Sequence, residues 1–374
     1  MLCATLRLSL VTSALGLCLS SWAAPQLSPQ PVQAPAGLSA VASAPVARTV
    51  PGEAGLAYQW PGAYFELNFE GSSAYFKLGA GAVILRVSVD GQALPLLTKP
   101  AAGVYAVSEL APGAHALRLE VLTEHQAGPN RFGGFLLPAD AKAQPALERA
   151  RRIEFIGDSH TVGYGNTSNS RDCTQDQVWA TTDNTQAYGP ITARHYNADY
   201  RVTAISGRGV VRNYDGFASP KLPEAYPHTL LDPTSPRDTS DWQPQVVAMA
   251  LGTNDFSTPL KAGEAWPTRE ALQADFRQRY AAFLKQLRAR YPQALLVVWA
   301  TDGAAGEILT QAAAVVQGLQ REGERRIRLV PMHGLDMMGC HWHPSLADHR
   351  KIAKALVSLI DAEPEVWPAA ASAR

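Results

Sequence analysis

The sequence predicts two folded units in one chain: an antiparallel β-sandwich, then a mostly parallel α/β sheet with helices on both faces. Three observations predict this. The chain has 374 residues, and at roughly 100–200 residues per domain two units are expected. Between about Trp60 and Pro138 apolar residues recur with period two, as half-buried strands do. Beyond residue 150, short apolar runs alternate with helical patterns, the signature of a parallel sheet.

Composition narrows the function classes. The 33 basic and 33 acidic side chains cancel, so no long-range field draws the chain to nucleic acid or an anionic membrane. With 18% charged and 46% hydrophobic residues, wholesale disorder is excluded. Four cysteines in this length exclude a scaffold built from disulfides.

The amino-terminal segment is expected to be a signal peptide, residues 1–23. Before residue 50 the only charges are Arg7 and Arg48. A short apolar run over 8–19 is followed by Ser21-Trp22-Ala23, with small residues at −3 and −1 of a cut after Ala23. A lipid anchor on Cys18 is the alternative, disfavoured by the bulky Leu17 before it. Cleavage leaves Cys173 and Cys340 as the mature cysteines. No other stretch reaches the ~18 apolar residues of a spanning helix. A secreted or periplasmic protein, free of the membrane, is expected.

Residues 24–50 are rich in Pro, Ala, Ser and Gln without apolar period and are expected to be a flexible linker. The sandwich follows over 51–140. Phe65, Leu67 and Phe69 alternate with polar neighbours, as do Ala74, Phe76 and Leu78, then Leu85, Val87 and Val89, then Leu117, Leu119 and Val121. Asp90-Gly91 is a hairpin signal, and residues 139–149 read as a connector. This unit holds no catalytic cluster; it either packs against its neighbour or shapes a binding surface. The second unit spans 150–362, with strands expected at 152–156, 200–205, 246–251, 294–300 and 327–330 and helices at 270–290, 307–320 and 345–360.

The chemistry gathers after the strands. Gly157-Asp158-Ser159-His160 follows the first, Ser206-Gly207-Arg208-Gly209 the second and Gly252-Thr253-Asn254-Asp255 the third, while His341-Trp342-His343-Pro344 precedes the last helix. In such sheets the loops at the strands' carboxyl ends form the site. A serine needs a base and an oxyanion donor set. Ser159 on a tight turn supplies the nucleophile and His343 the base. The N–H groups of Ser159 and Gly207 with the Asn254 amide supply the donors, and Gly207 lets backbone approach a ligand closely.

These four blocks, in this order, resemble the SGNH (GDSL) hydrolase superfamily, with Ser159, Gly207, Asn254 and His343 in the four named positions. The wider blocks 157–165, 206–214 and 339–345 resemble carbohydrate esterase family 2. That resemblance implies a jelly-roll type β-sandwich before a flavodoxin-like SGNH domain, over nearly all of the mature chain. It implies an acetyl xylan esterase type of activity: removal of O-acetyl groups from cell-wall polysaccharides or oligosaccharides such as xylan or mannan. It implies no cofactor and no metal.

The sequence departs from the superfamily near the base. Many members carry Asp three residues before the catalytic His, where this chain has Cys340; relatives often have Asp two residues before it, where this chain has His341. Family members can hold the imidazole on a backbone carbonyl instead, so a Ser159–His343 dyad is expected. A triad completed by Asp336 or Asp348 is the rival. His160 is expected to pack locally. Asp158 and Asp255 are expected to organise loops.

Cys173 lies in the loop after the nucleophile block and Cys340 three residues before the base, both expected beside one pocket. In an exported protein a disulfide joining them is expected, with two buried thiols as the alternative. Trp342 is a candidate for stacking on a sugar and Arg208 for lining the cleft, with Arg212 a further candidate. The expected partner is an acetylated polysaccharide or oligosaccharide, bound by a monomer. The alternatives are a general GDSL esterase or lipase and a non-catalytic carbohydrate-binding protein.

Overall fold

The computed structural model describes residues 24–42, 45–363 and 365–367. The expected signal peptide at 1–23 lies outside the described residues. In the first unit, strands Tyr64–Glu70, Ala114–Val121 and Ile84–Val89 pair antiparallel in one sheet. Gly103–Ser108, Ala74–Leu78 and Asn130–Leu137 pair antiparallel in the other. The alternating residues Phe65, Leu67, Phe69, Phe76, Val87 and Leu119 meet between the sheets with Phe132 and Phe135. Asp90 and Gly91 both take positive φ, 52° and 80°, and Val89 pairs with Gln92 across them, as a two-residue hairpin requires. Asn130–Leu137 escapes a period-two reading because the register shifts between Phe132 and Gly134, moving one face to the other.

Residues 24–50 are not the flexible linker that composition suggests. Gln26–Leu27 pairs with Gly103–Ser108, Ser39–Val41 pairs with Asn130–Leu137, and Val46 bridges Tyr64. An extended Pro- and Ala-rich chain needs no apolar period for this, since open sheet edges take up its backbone groups. The expected connector is likewise part of the sandwich at Lys142–Gln144, which pairs with Tyr64–Glu70.

The second unit has five parallel strands: β1 (Arg152–Gly157), β2 (Asp199–Ala204), β3 (Val246–Ala250), β4 (Leu295–Thr301) and β5 (Ile327–Met332). Their order is β2-β1-β3-β4-β5. The helices of eight or more residues are α1 (Tyr188–His195), α2 (Arg269–Arg290), α3 (Glu307–Arg321) and α4 (Leu346–Asp361). α1 and α4 pack on one face around Tyr188, Trp299 and Leu356; α2 and α3 pack on the other around Phe276, Val298 and Val316. The strand order reverses between β1 and β3, so the crevice lies at their carboxyl ends. α1 was not legible because Gly189-Pro190 opens it. Proline is tolerated in a first helical turn, and a Cβ at Gly189 would lie 2.9 Å from the Phe155 ring.

The two units share half-buried and buried charges at the strands' amino ends. Arg149 bridges Glu66 of the sandwich and Asp199 of β2 at 2.7 and 2.8 Å. A cavity of about 800 Å3 beside them is lined by these groups, Arg201 and Trp242. It lies at the edge of the sheet opposite the crevice. Arg48, in the segment expected to be a linker, pairs with Glu154 of β1 at 3.1 Å, with side chains 2% and 0% exposed.

Removing one partner of a buried pair strands the other charge. Arg48→Ala is therefore expected to lower the unfolding free energy by about 3–5 kcal/mol, read by denaturant titration. A loss below about 1 kcal/mol would show that Glu154 is adequately held by Thr203 and Tyr226 alone.

Candidate active site

Ser159 opens a one-turn helix, Ser159–Val162, directly after β1, with Asp158 as its cap. As the first helical residue its N–H has no acceptor within the turn. Ser159 Oγ lies 2.8 Å from His343 Nε2. The His343 ring is set by its own chain: Nδ1 lies 2.8 Å from the Cys340 carbonyl and 3.2 Å from that of His341. A carbonyl only accepts, so Nδ1 carries the proton and Nε2 is the bare nitrogen that accepts from the Ser159 hydroxyl.

The loop folds tightly to do this. His341 and Trp342 both take positive φ, 51° and 62°, and Gly339 N–H donates to the His343 carbonyl at 2.9 Å. Cys340 forms a disulfide with Cys173, and His341 Nε2 donates to the Cys173 carbonyl at 2.7 Å. With Nδ1 then bare, His341 accepts from the Tyr164 hydroxyl at 3.1 Å. Tyr164 stacks on His343 with ring centres 4.2 Å apart.

Asp336 and Asp348 are engaged elsewhere. Asp348 accepts from the N–H groups of Asp336, Met337 and Ser345, the last as part of the capping box of α4. Asp336 accepts from Met338 N–H. Among the described residues no carboxyl is hydrogen-bonded to His343.

The residues expected to donate, Gly207 and Asn254, lie in the loops directly after β2 and β3. Gly207 has φ 81°, and a side chain there would crowd Phe217. Asn254 begins beside Gly252 after β3; its Nδ2 donates to Arg208 O at 2.8 Å and to Asp158 Oδ2 at 3.2 Å. Both amide hydrogens thus have partners, and donation to an oxyanion requires exchange of the longer bond. Asp255 gathers the N–H groups of Val210, Val211 and Arg212 at 2.8–3.1 Å, fixing the loop after β2.

Other candidates fall into place around this centre. His160 is buried, stacked toward Trp299 and edge-on to His343. Arg212 does not line the cleft: it is buried and paired with Glu264 at 2.5 Å. Arg208 sits over Phe217 with Nε and Nη1 unpartnered. Trp342 is 65% exposed, one face under the Arg171 guanidinium at 3.7 Å. Phe217 and Tyr214 are also exposed. Tyr164, Phe217 and Glu124 were missed from sequence as site residues. Tyr164 stood five positions after Ser159 in a quoted block; Glu124 lies in the other unit, where no motif points to it.

Burial sets the electrostatics. It pushes His343 down to about 4, against the smaller raising effect of the two carbonyls, and holds His160 well below its ordinary value. Burial pushes Asp158 up to about 7 and Asp255 up to about 6, against their backbone donors. The imidazole is therefore neutral and basic-ready in the neutral range, while the carboxyls titrate there.

Comparison with known proteins follows the same division. Residues 47–146 match the carbohydrate esterase 2 N-terminal family and residues 155–352 the GDSL-like lipase/acylhydrolase family. The chain is 43% identical to an acetylxylan esterase / glucomannan deacetylase of Cellvibrio japonicus, over 83% of this chain and 86% of that protein. The chain belongs to carbohydrate esterase family 2. It is also 33% identical to the cellulase/esterase CelE of Acetivibrio thermocellus, over 80% of this chain and 37% of that longer protein. A solved carbohydrate esterase superposes with a TM-score of 0.82 at 39% identity, covering 88% of this chain and all of that one. A family two carbohydrate esterase from Clostridium thermocellum, in complex with cellohexaose, gives 0.74 at 31% identity, covering 88% and 100%. The expected family and its two-part architecture therefore hold for this esterase. Among its described residues no group of three or more His, Cys, Asp or Glu side chains is placed to hold a metal ion.

Because Asp336 only caps a neighbouring turn, Asp336→Asn is expected to keep kcat/KM within a few fold. A fall of order 10⁴, the size seen when a triad Asp is changed, would mean that this carboxyl reaches the base. The His343 ring is expected to titrate by NMR toward about 4; a midpoint at or above the ordinary 6.5 would refute its burial as the controlling term. An acid limb of activity between pH 6 and 7 would then belong to Asp158 and Asp255.

Proposed function

We propose that Ser159 and His343 form the catalytic dyad of an esterase that removes O-acetyl groups from xylan, glucomannan or their oligosaccharides. The carrying observation is the 2.8 Å contact between Ser159 Oγ and a histidine whose other nitrogen is satisfied by carbonyls. Ser159 Oγ attacks the acetyl carbonyl as His343 Nε2 takes its proton. The carbonyl electron pair moves onto oxygen, and the N–H groups of Ser159 and Gly207 with Asn254 receive the charge. Collapse expels the sugar oxygen, which takes the proton from His343. Water, deprotonated by His343, then releases acetate and restores the serine.

The surroundings favour a sugar polymer over a lipid. Trp342, Phe217 and Tyr214 are exposed aromatics on the loops that carry His343 and Gly207, and aromatic faces suit the C–H faces of sugars. A lipase site would instead enclose an acyl chain in apolar surface. The Cellvibrio relative's name pairs xylan and glucomannan, and both are carried over as substrates. The disulfide beside the base and the sequence pattern at 1–23 support action outside the cytoplasm. No helix among the described residues is long and apolar enough to cross a membrane.

Acetate release from acetylated xylan and acetylated glucomannan tests the proposal. Wild type is expected to deacetylate at least one, and Ser159→Ala to lose at least roughly 10³-fold in kcat. Turnover of a small aryl acetate alone would retain the mechanism and remove the polysaccharide assignment. Sugar binding by folded protein without ester hydrolysis would make it a binding module.

A further inference from the structure

The sandwich reaches the active site through one loop. Strand Ala114–Val121 ends and the chain runs through Leu122, Thr123, Glu124, His125 and Gln126 before the next strand. Gln59 holds this loop, donating to the carbonyls of His125 and Gln126 at 3.3 Å each and accepting from Leu231 N–H of the second unit. Glu124 Oε1 accepts from the N–H of Ser206 at 2.8 Å and from Gln126 Nε2 at 3.1 Å. The same Nε2 donates to the Ser206 carbonyl at 3.2 Å.

Ser206 precedes Gly207, so its carbonyl belongs to the peptide unit that carries the Gly207 N–H. A trans planar peptide points its C=O and N–H in opposite directions. Holding the Ser206 carbonyl against the sandwich loop therefore directs the Gly207 N–H away from that loop. The turn itself sets part of this direction: Arg208 N–H donates to the Ile205 carbonyl at 3.3 Å, with Gly207 at φ 81° in the third position of the turn. The sandwich loop adds a second hold on the same peptide. The Gly207 carbonyl is tied on the other side, accepting from Tyr214 N–H at 2.9 Å. The carbonyls on either side of Gly207 are thus both held, that of Ser206 by the sandwich and that of Gly207 by the second unit's own chain.

We propose that Glu124, with Gln126, is a positioning residue for the oxyanion donor Gly207, so that the β-sandwich completes the catalytic machinery of the second unit. This rests on the reading of Gly207 as an oxyanion donor. Arg208, whose guanidinium lies over Phe217 and feels the charge of Glu124, is the charged neighbour of this grip. Glu124 touches no reacting atom; it holds the Ser206 N–H on one side of the residue and the Gln126 amide that grips the Ser206–Gly207 peptide on the other.

The test uses the full chain with Glu124→Ala, Glu124→Gln, Gln126→Met and Asn254→Ala. Steady-state rates are measured on 4-nitrophenyl acetate and an acetylated oligosaccharide, with inhibition by methylboronic acid, which forms a tetrahedral adduct on Ser159. Losing an oxyanion donor outright lowers kcat by about 10²–10³. Misaiming one by Glu124→Ala is expected to lower kcat about tenfold on both esters, with KM for the sugar within twofold. The boronate inhibition constant should rise in proportion. Glu124→Gln keeps an oxygen for Ser206 N–H and should recover most of the loss, which a purely structural defect would not predict. If Glu124→Ala does not fold, Gln126→Met, at an exposed position, carries the same expectation at smaller size. A change in sugar KM alone would make Glu124 a substrate contact and overturn the proposal. Weaker boronate binding in Asn254→Ala with none in Glu124→Ala or Gln126→Met would also overturn it, leaving the oxyanion hole intact. Unchanged boronate binding in all of the variants would remove the oxyanion reading itself.

Discussion

The hydrogen bond from His343 Nδ1 to the Cys340 carbonyl is the interaction on which the site depends. It fixes the tautomer, and the tautomer decides that Nε2 accepts from Ser159 rather than donating to it. A carboxylate partner would orient the ring and also stabilise the imidazolium formed during reaction. A carbonyl orients it and offers only a dipole. The ring consequently stays a weak base, pushed down by burial, and geometry must supply what charge does not. That explains the rigidity spent on one short loop: two successive residues at positive φ, a Gly339–His343 bridge, the Cys173 disulfide and the Tyr164 ring on the imidazole face. Each of these bears on where the Cys340 carbonyl and the His343 ring sit relative to each other.

The disulfide connects this constraint to the nucleophile side. Cys173 belongs to the segment between the Ser159 turn and α1, and it closes a sequence separation of 167 residues onto Cys340. In the chain-entropy description such a loop is worth on the order of 5 kcal/mol against the unfolded state. Locally it matters more that His341 donates to the Cys173 carbonyl and that Arg171 donates to the carbonyls of Met337 and Asp336. The loop that carries His343 is stitched along its length to the segment that follows Ser159.

Much of this was legible in sequence because it follows from periodicity and from loops placed after strands. β1 to β5, α2, α3 and α4 were found from apolar runs, and the sheet rule then placed Ser159, Gly207 and Asn254 at one edge. What was not legible has physical reasons. Residues 24–50 carry no apolar period because their contribution is backbone pairing and a single buried charge, Arg48. Arg212 looked like a cleft residue by proximity, yet Glu264, 52 positions later, draws it inward. Asn254 was assigned a donor role by position, while the structure shows its amide already shared between Asp158 and Arg208. Side-chain partners at long sequence separation leave no trace in a pattern.

The loop after β2 shows why the two units occur together. From beneath, Asp255 takes the N–H groups of Val210, Val211 and Arg212; from outside, Glu124 takes that of Ser206. These are four of the seven residues from Ser206 to Arg212, with one gap, Gly207 to Gly209, and Gly209 is so close to Arg212 and Asp255 that a Cβ would lie 2.0 Å from the Arg212 carbonyl oxygen. Asp255 alone leaves the upstream end, Ser206 to Arg208, tied only through Arg208 and Tyr214. An α/β unit without the sandwich would therefore keep its nucleophile and base, which are held by its own disulfide and carbonyl, and lose definition in the peptide before Gly207. Under the proposed dyad and oxyanion reading a division of labour follows: the second unit supplies the nucleophile, and the first steadies the loop that would receive the developing charge.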